Sequence, residues 1–131
     1  MIGLTLPTIN TFYNVKALII SENRTIIKKL SKLVEKNFKN VFLLKPSETH
    51  EADLKMLALT KPDIAFFDIN HYKYNVNDII NNISVGTKVI LIGANKSPIL
   101  NALEDLPLDY LPGPINSKEL KNIVNKVFAK N

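Results

Sequence analysis

The sequence predicts an α/β domain: a parallel sheet covered by helices on both faces and wound doubly by right-handed crossovers. Two observations carry this. Five short, mostly apolar runs recur along the chain, at Val15 to Ile20, Val41 to Leu44, Ile64 to Ile69, Lys88 to Ile92 and Leu108 to Leu111; each has the length of a buried strand. Between and after them the apolar residues switch to the 3.6-residue period of helices, so strand and helix alternate. The 131 residues suit a single domain. It spans residues 15–131, preceded by an N-terminal extension over 1–14 that has no clear period.

Each helix has its own signals. Over Thr25 to Phe38, the residues Ile26, Ile27, Leu30, Leu33, Val34 and Phe38 fall on one face. Pro46 stops the second strand, and Ser47 and Thr49 offer caps for a helix through about Leu59, with Leu54, Leu57 and Ala58 facing inward. Lys61-Pro62 breaks that helix. His71 to Val76 reads as loop, Asn77 to Ile83 as a short helix ended by Gly86, and Ser97-Pro98 as the start of a helix to about Asp105. Asn116 followed by Glu119 resembles a capping box for the last helix, whose inward stripe is Leu120, Ile123, Val124, Val127 and Phe128.

Composition narrows the function. The chain has no cysteine, which excludes disulfides, thiolate nucleophiles and cysteine-based metal sites. His50 and His71 are isolated, so a histidine-rich metal site is not expected. No apolar run is long enough to span a bilayer, and the expectation is a cytoplasmic domain without membrane contact. The net charge of +5 attracts polyanions. Yet Arg24 is the only arginine, and lysine, asparagine and isoleucine all have AT-rich codons, so the excess reads as compositional. The densest basic stretch, Lys28 to Lys32, sits on a helix pattern where a solvated lysine face is expected. The four glycines form no phosphate cradle.

In a doubly wound sheet, the carboxyl ends of the strands mark the site. Ser21, Glu22 and Asn23 follow the first strand, and Asp68, Ile69 and Asn70 close the third. Gly93, Ala94 and Asn95 close the fourth, and Gly113-Pro114 follows the fifth. Glu22 and Asp68 therefore converge on one edge of the sheet.

This order of elements resembles the receiver domain of bacterial two-component response regulators over about Lys16 to Lys130. The residues that carry the resemblance are Lys16 to Asn23, the Pro62 to Asn70 segment around Asp68, Lys88 to Ala94, and Leu108 to Ile115. The resemblance implies a flavodoxin-like, CheY-like (βα)5 fold with strand order 2-1-3-4-5. It also implies that Asp68 is the phosphoacceptor, with Mg²⁺ held by Glu22, Asp68 and the backbone carbonyl of Asn70. In the family, the metal neutralises the transferring phosphoryl group while a lysine and a hydroxyl sense it.

Several working parts differ. Ser21 stands where the second acid of the metal pair belongs, Gly93 where the switch hydroxyl belongs, and Gly113 where the lysine before Pro114 belongs. Tyr110 matches the aromatic that follows the switch, but its hydroxyl partner is missing. Arg24 or Lys96 could stand in for the lysine. These substitutions imply a pseudo-receiver with weak Mg²⁺ binding, weak or absent phosphorylation, and a signalling role exerted through protein contacts rather than an enzymatic one. The implied partners are a sensor kinase or a downstream effector, and a second copy through the face of the fourth predicted helix, fifth strand and fifth helix. Nucleic acid would enter only through an appended effector domain. Two other readings remain: a phosphorylatable receiver using Asp68 and Mg²⁺, and a lysine-rich nucleic-acid-binding module. Phe12, Tyr13, His71, Tyr72 and Tyr74 are expected to pack the N-terminal extension over the altered pocket.

Overall fold

A computed structural model of the chain describes residues 15–44, 50–68, 81–93, 108–111 and 115–129. In chain order these form β1 (Val15–Ile20), α1 (Arg24–Asn37), β2 (Val41–Leu43), α2 (His50–Thr60), β3 (Ile64–Asp68), β4 (Lys88–Ile92), β5 (Leu108–Leu111) and α3 (Ser117–Ala129). The five strands make one sheet in the order β2-β1-β3-β4-β5, and every ladder is parallel. This is the predicted doubly wound sheet with the 2-1-3-4-5 order. Of the helix predicted over Asn77 to Ile83, residues 81–82 are described and helical. The Pro98 to Asp105 helix and the N-terminal extension, with Phe12 and Tyr13, lie outside the described residues.

The continuous apolar strands are explained by a core on each face of the sheet. Side chains alternate across a strand, so Val15, Ala17 and Ile19 of β1 join one cluster with Ile64, Phe66, Ile90 and Ile92. Leu18 and Ile20 join the other with Ala65, Phe67, Val89 and Leu91. Leu30 and Val34 of α1 and Leu120, Ile123 and Val124 of α3 cover the first face; Leu57 of α2, flanked by Leu54 and Met56, helps cover the second. Phe66 and Phe67 are both 1% exposed, each contributing about 1.5–3 kcal/mol by burial.

Two local expectations need correcting. Ala58 is exposed, and Met56 takes the inward flank beside Leu57 instead. In α2 the residues Leu54, Met56, Leu57, Ala58 and Leu59 are apolar almost all round the helix, so the pattern marks no single stripe; Leu59 ends up 79% exposed. The helix read as ended by Gly86 already stops at Asn82, and a Thr87 N–H to Ser84 carbonyl bond of 3.0 Å closes a turn over Val85 and Gly86, which has no positive φ. Lys61 instead takes the left-handed conformation, with φ 46°, directly after α2. Its N–H reaches the Leu57 carbonyl at 3.3 Å, which ends the helix ahead of Pro62.

The amino end of the sheet is tied by a compact set of bonds. Lys16 N–H donates to Asp63 Oδ2 at 2.8 Å, Asp63 N–H to the Lys16 carbonyl at 2.8 Å, and Lys88 N–H to the Asp63 carbonyl at 2.8 Å. Buried Thr87 adds an Oγ1 bond to the Pro62 carbonyl at 2.7 Å. Lys16 Nζ donates to the Thr60 carbonyl at 2.7 Å, satisfying an acceptor at the end of α2.

Candidate functional site at the carboxyl edge of the sheet

The site begins with register. In the β1–β3 ladder Ile20 stands opposite Phe67, so one step further Ser21 stands opposite Asp68. Asp68 is 1% exposed, held between the ends of the two central strands. Ser21 Oγ donates to Asp68 Oδ2 at 2.6 Å, and the same Oγ accepts the Asn23 N–H at 2.9 Å. A buried carboxylate needs such donors, because burial without hydrogen bonds is costly.

Asn23 passes this arrangement on to α1. Its Oδ1 accepts the N–H groups of Thr25 at 2.9 Å and Ile26 at 3.3 Å, an N-cap on the first turn. Its carbonyl accepts Ile27 N–H at 3.1 Å. A continuous set of bonds thus runs from Asp68 through Ser21 to the start of α1. The helix begins at Arg24, one residue before the apolar pattern suggested, because Asn23 is the better cap.

Glu22 lies at the same edge, in the turn between β1 and α1, and is exposed. The carboxylates of Glu22 and Asp68 thus share an edge but not an environment. Asn70, His71, Tyr72, Tyr74, Lys96, Gly113 and Pro114 lie outside the described residues. Arg24 is exposed at the head of α1.

Across the sheet, Gly93 is buried at the end of β4, with its N–H on the Leu111 carbonyl at 3.3 Å. The Tyr110 hydroxyl donates to the Gly93 carbonyl. Tyr110 therefore has a partner after all: the main chain supplies the oxygen that the missing side chain cannot. On the outer flank of β5, Asp109 and Lys126 form an ion pair at 3.2 Å, beside an open depression of about 420 Å³ lined by Tyr110, Leu111, Glu119, Asn122 and Ile123.

Three features of this edge escape a reading by residue type. The Ser21 donation to Asp68 depends on strand register. The Tyr110 bond uses a backbone acceptor, which no residue letter reveals. The Asp109–Lys126 pair joins a strand to a helix. Only Ser21 left a signal: its place directly after an apolar strand, matching the place of Asp68 after another.

The donor set suits Mg²⁺ poorly. Mg²⁺ favours a near-octahedral shell of oxygens anchored by carboxylates. Here one carboxylate is buried, the other is exposed, and the hydroxyl of Ser21, directly before Glu22, donates its hydrogen bond to Asp68. Among the described residues there is no cluster of three or more His, Cys, Asp or Glu side chains able to hold a metal.

No family model matches the sequence, and no curated protein matches it. Solved structures do. A response regulator receiver domain protein from Clostridium thermocellum superposes with a TM-score of 0.69 at 20% identity, covering 88% of this chain and 95% of that one. A CheY-like receiver domain protein from Methanospirillum hungatei gives 0.69 at 17% identity, with coverages of 88% and 95%. A chain described as a CpaE2 pilus assembly protein from Sinorhizobium meliloti gives 0.62 at 16% identity, with coverages of 87% and 100%. The chain has the CheY-like receiver fold.

Proposed function

We propose that this receiver fold serves as a signalling module that works mainly through protein contacts, without a conventional phosphoryl switch. The observation that carries the reading is the Ser21 Oγ to Asp68 Oδ2 bond of 2.6 Å. At this rung the resemblance expects two carboxylates drawn together by a metal; here a hydroxyl already neutralises part of the demand of the buried one. Glycine at position 93 has no hydroxyl to turn toward a phosphate, and Tyr110 is bonded to the main chain at that same residue. The module is not an enzyme on this reading, and it operates in the cytoplasm; among the described residues no helix is long and apolar enough to cross a membrane.

Partners are a sensor kinase or a downstream effector, with nucleic acid engaged only through an appended domain. The β5–α3 flank, with its depression beside Asp109 and Lys126, is one side of the face assigned to pairing with a second copy. Glu22, Asp68 and Asn70 form at most a weak Mg²⁺ site.

An amide NMR titration with Mg²⁺ followed by beryllofluoride tests this reading. The expected result is a small, non-saturating response to Mg²⁺ and none to beryllofluoride. Saturating shifts centred on Glu22, Asp68 and Asn70 that spread to Tyr110 would instead establish the phosphorylatable receiver.

A further inference from the structure

The positive charge of the chain is not spread evenly along its sequence. Helices α1 and α3 lie side by side over one face of the sheet, packed through Leu30, Val34, Leu120 and Ile123 and joined by an Asn37 Nδ2 to Ser117 Oγ bond of 3.2 Å. Helix α1 carries Arg24, Lys28, Lys29, Lys32 and Lys36 against one acid, Glu35; α3 carries Lys118, Lys121 and Lys126 against Glu119. The two helices together hold a balance of +6 in a chain whose total is +5, which leaves the remainder at −1. All eight cations are exposed. Among the described residues only Lys126 of the eight stands in an ion pair, with Asp109.

Codon bias does not explain this. A bias toward lysine enriches every segment, and it does not hold α1 and α3 to one acid each while ten acids fall in the rest of the sequence. The local physics makes the arrangement costlier still. Arg24, Lys28, Lys32 and Lys36 follow one another at four-residue intervals, where like charges on a helix repel. The first turn of α1 contains no acid, and Arg24 faces the positive end of the helix dipole. Isolated, the chain bears this repulsion; a negatively charged surface laid along the row removes it.

We propose that the α1–α3 layer docks an acidic helix of a partner protein, one whose carboxylates recur every four residues. The cations of the row rise about 6 Å per step along the helix axis, the step of a helix with the same period facing it. A duplex would favour guanidinium forks for bidentate phosphate contacts, and the row holds a single arginine. The inference rests on the reading that the chain works through protein contacts, and it names the chemistry of that contact.

The test uses the full chain and three probes: an alanine-based helical peptide of about twenty residues with Glu at every fourth position, its Gln counterpart, and a short DNA duplex. Amide NMR shifts should map to α1 and α3. The Glu peptide should bind at least about tenfold more tightly than the Gln peptide or the duplex, and weaken as salt rises. The triple variant K28E/K32E/K36E should lose about tenfold in affinity, and the neutral K28Q/K32Q/K36Q should fall between it and the parent chain. Lys55→Glu, exposed on α2, should leave binding unchanged. Equal binding of the Glu and Gln peptides, or full binding by a folded triple variant, would overturn the proposal. Tighter binding of the duplex would overturn it in favour of a nucleic-acid surface. A saturating beryllofluoride response would defeat the phosphate-independent reading while leaving these affinities to stand or fall on their own.

Discussion

The Ser21 hydroxyl donates to the Asp68 carboxylate at 2.6 Å, and the two residues occupy the same rung where β1 and β3 end. Replacing Ser21 with Ala removes the donor and leaves Asp68 buried with one bond fewer. The expected cost is about 1–3 kcal/mol, read as a lower urea midpoint with an unchanged slope. A midpoint equal to that of the parent chain would show that the bond contributes nothing to stability.

Ser21→Asp places a second carboxylate on that rung. Like charges at such a distance disfavour one another, so this variant should unfold at a lower midpoint in the absence of divalent cations. Millimolar Mg²⁺ should restore much of the loss, whereas the parent chain should respond little. Calorimetry with and without Mg²⁺ makes the comparison.

Tyr110→Phe keeps the ring against the second core cluster and removes only the hydroxyl that reaches the Gly93 carbonyl. A net loss of about 0.5–1.5 kcal/mol is expected in equilibrium unfolding. The amide resonances of Gly93 and its neighbours should shift, while those of α1 stay in place.

Lys61 occupies a left-handed conformation with φ 46°, which costs a residue with a Cβ about 1 kcal/mol. Lys61→Gly relieves that strain, and the thermal midpoint should rise. A fall would show that the side chain contributes more to the end of α2 than its backbone costs.

Asn23→Ala strips the cap from Thr25 and Ile26. About 1 kcal/mol of stability should go with it, and hydrogen exchange should quicken first in the opening turn of α1. Aspartate at the same position should retain the cap.

The strands were legible because a sheet covered on both faces demands apolar side chains in both directions: Leu18 and Ile19 point to opposite clusters, and the sequence shows both as apolar. The stripe of α1 was legible for a related reason, since Leu30 and Val34 face the core and lysines face away. Helix α2 offered no such contrast, so Ala58 and Met56 could not be ordered by pattern alone. At the edge of the sheet, Asp68 stood out as a polar residue closing an apolar run. What Ser21 does for it was hidden, because a contact between residues 47 apart exists only once two strands are aligned. The gathering of charge onto α1 and α3 was hidden likewise, since it depends on which helices become neighbours.

The ladder between β1 and β3 also acts as a ruler. Lys16 meets Asp63 at its amino end and Ser21 meets Asp68 at its carboxyl end, and both pairs are separated by the same 47 residues. The span of the two strands is therefore matched, residue for residue, from the structural tie to the edge that carries the candidate site. Adding or deleting a single residue inside either strand would rotate everything beyond it to the opposite face. Asp68 would then turn away from Ser21 even though every side chain of the site was still present. The chemistry at one end of this sheet is thus gauged by counting from the other, and point substitutions within the strands should be tolerated far better than changes in their length.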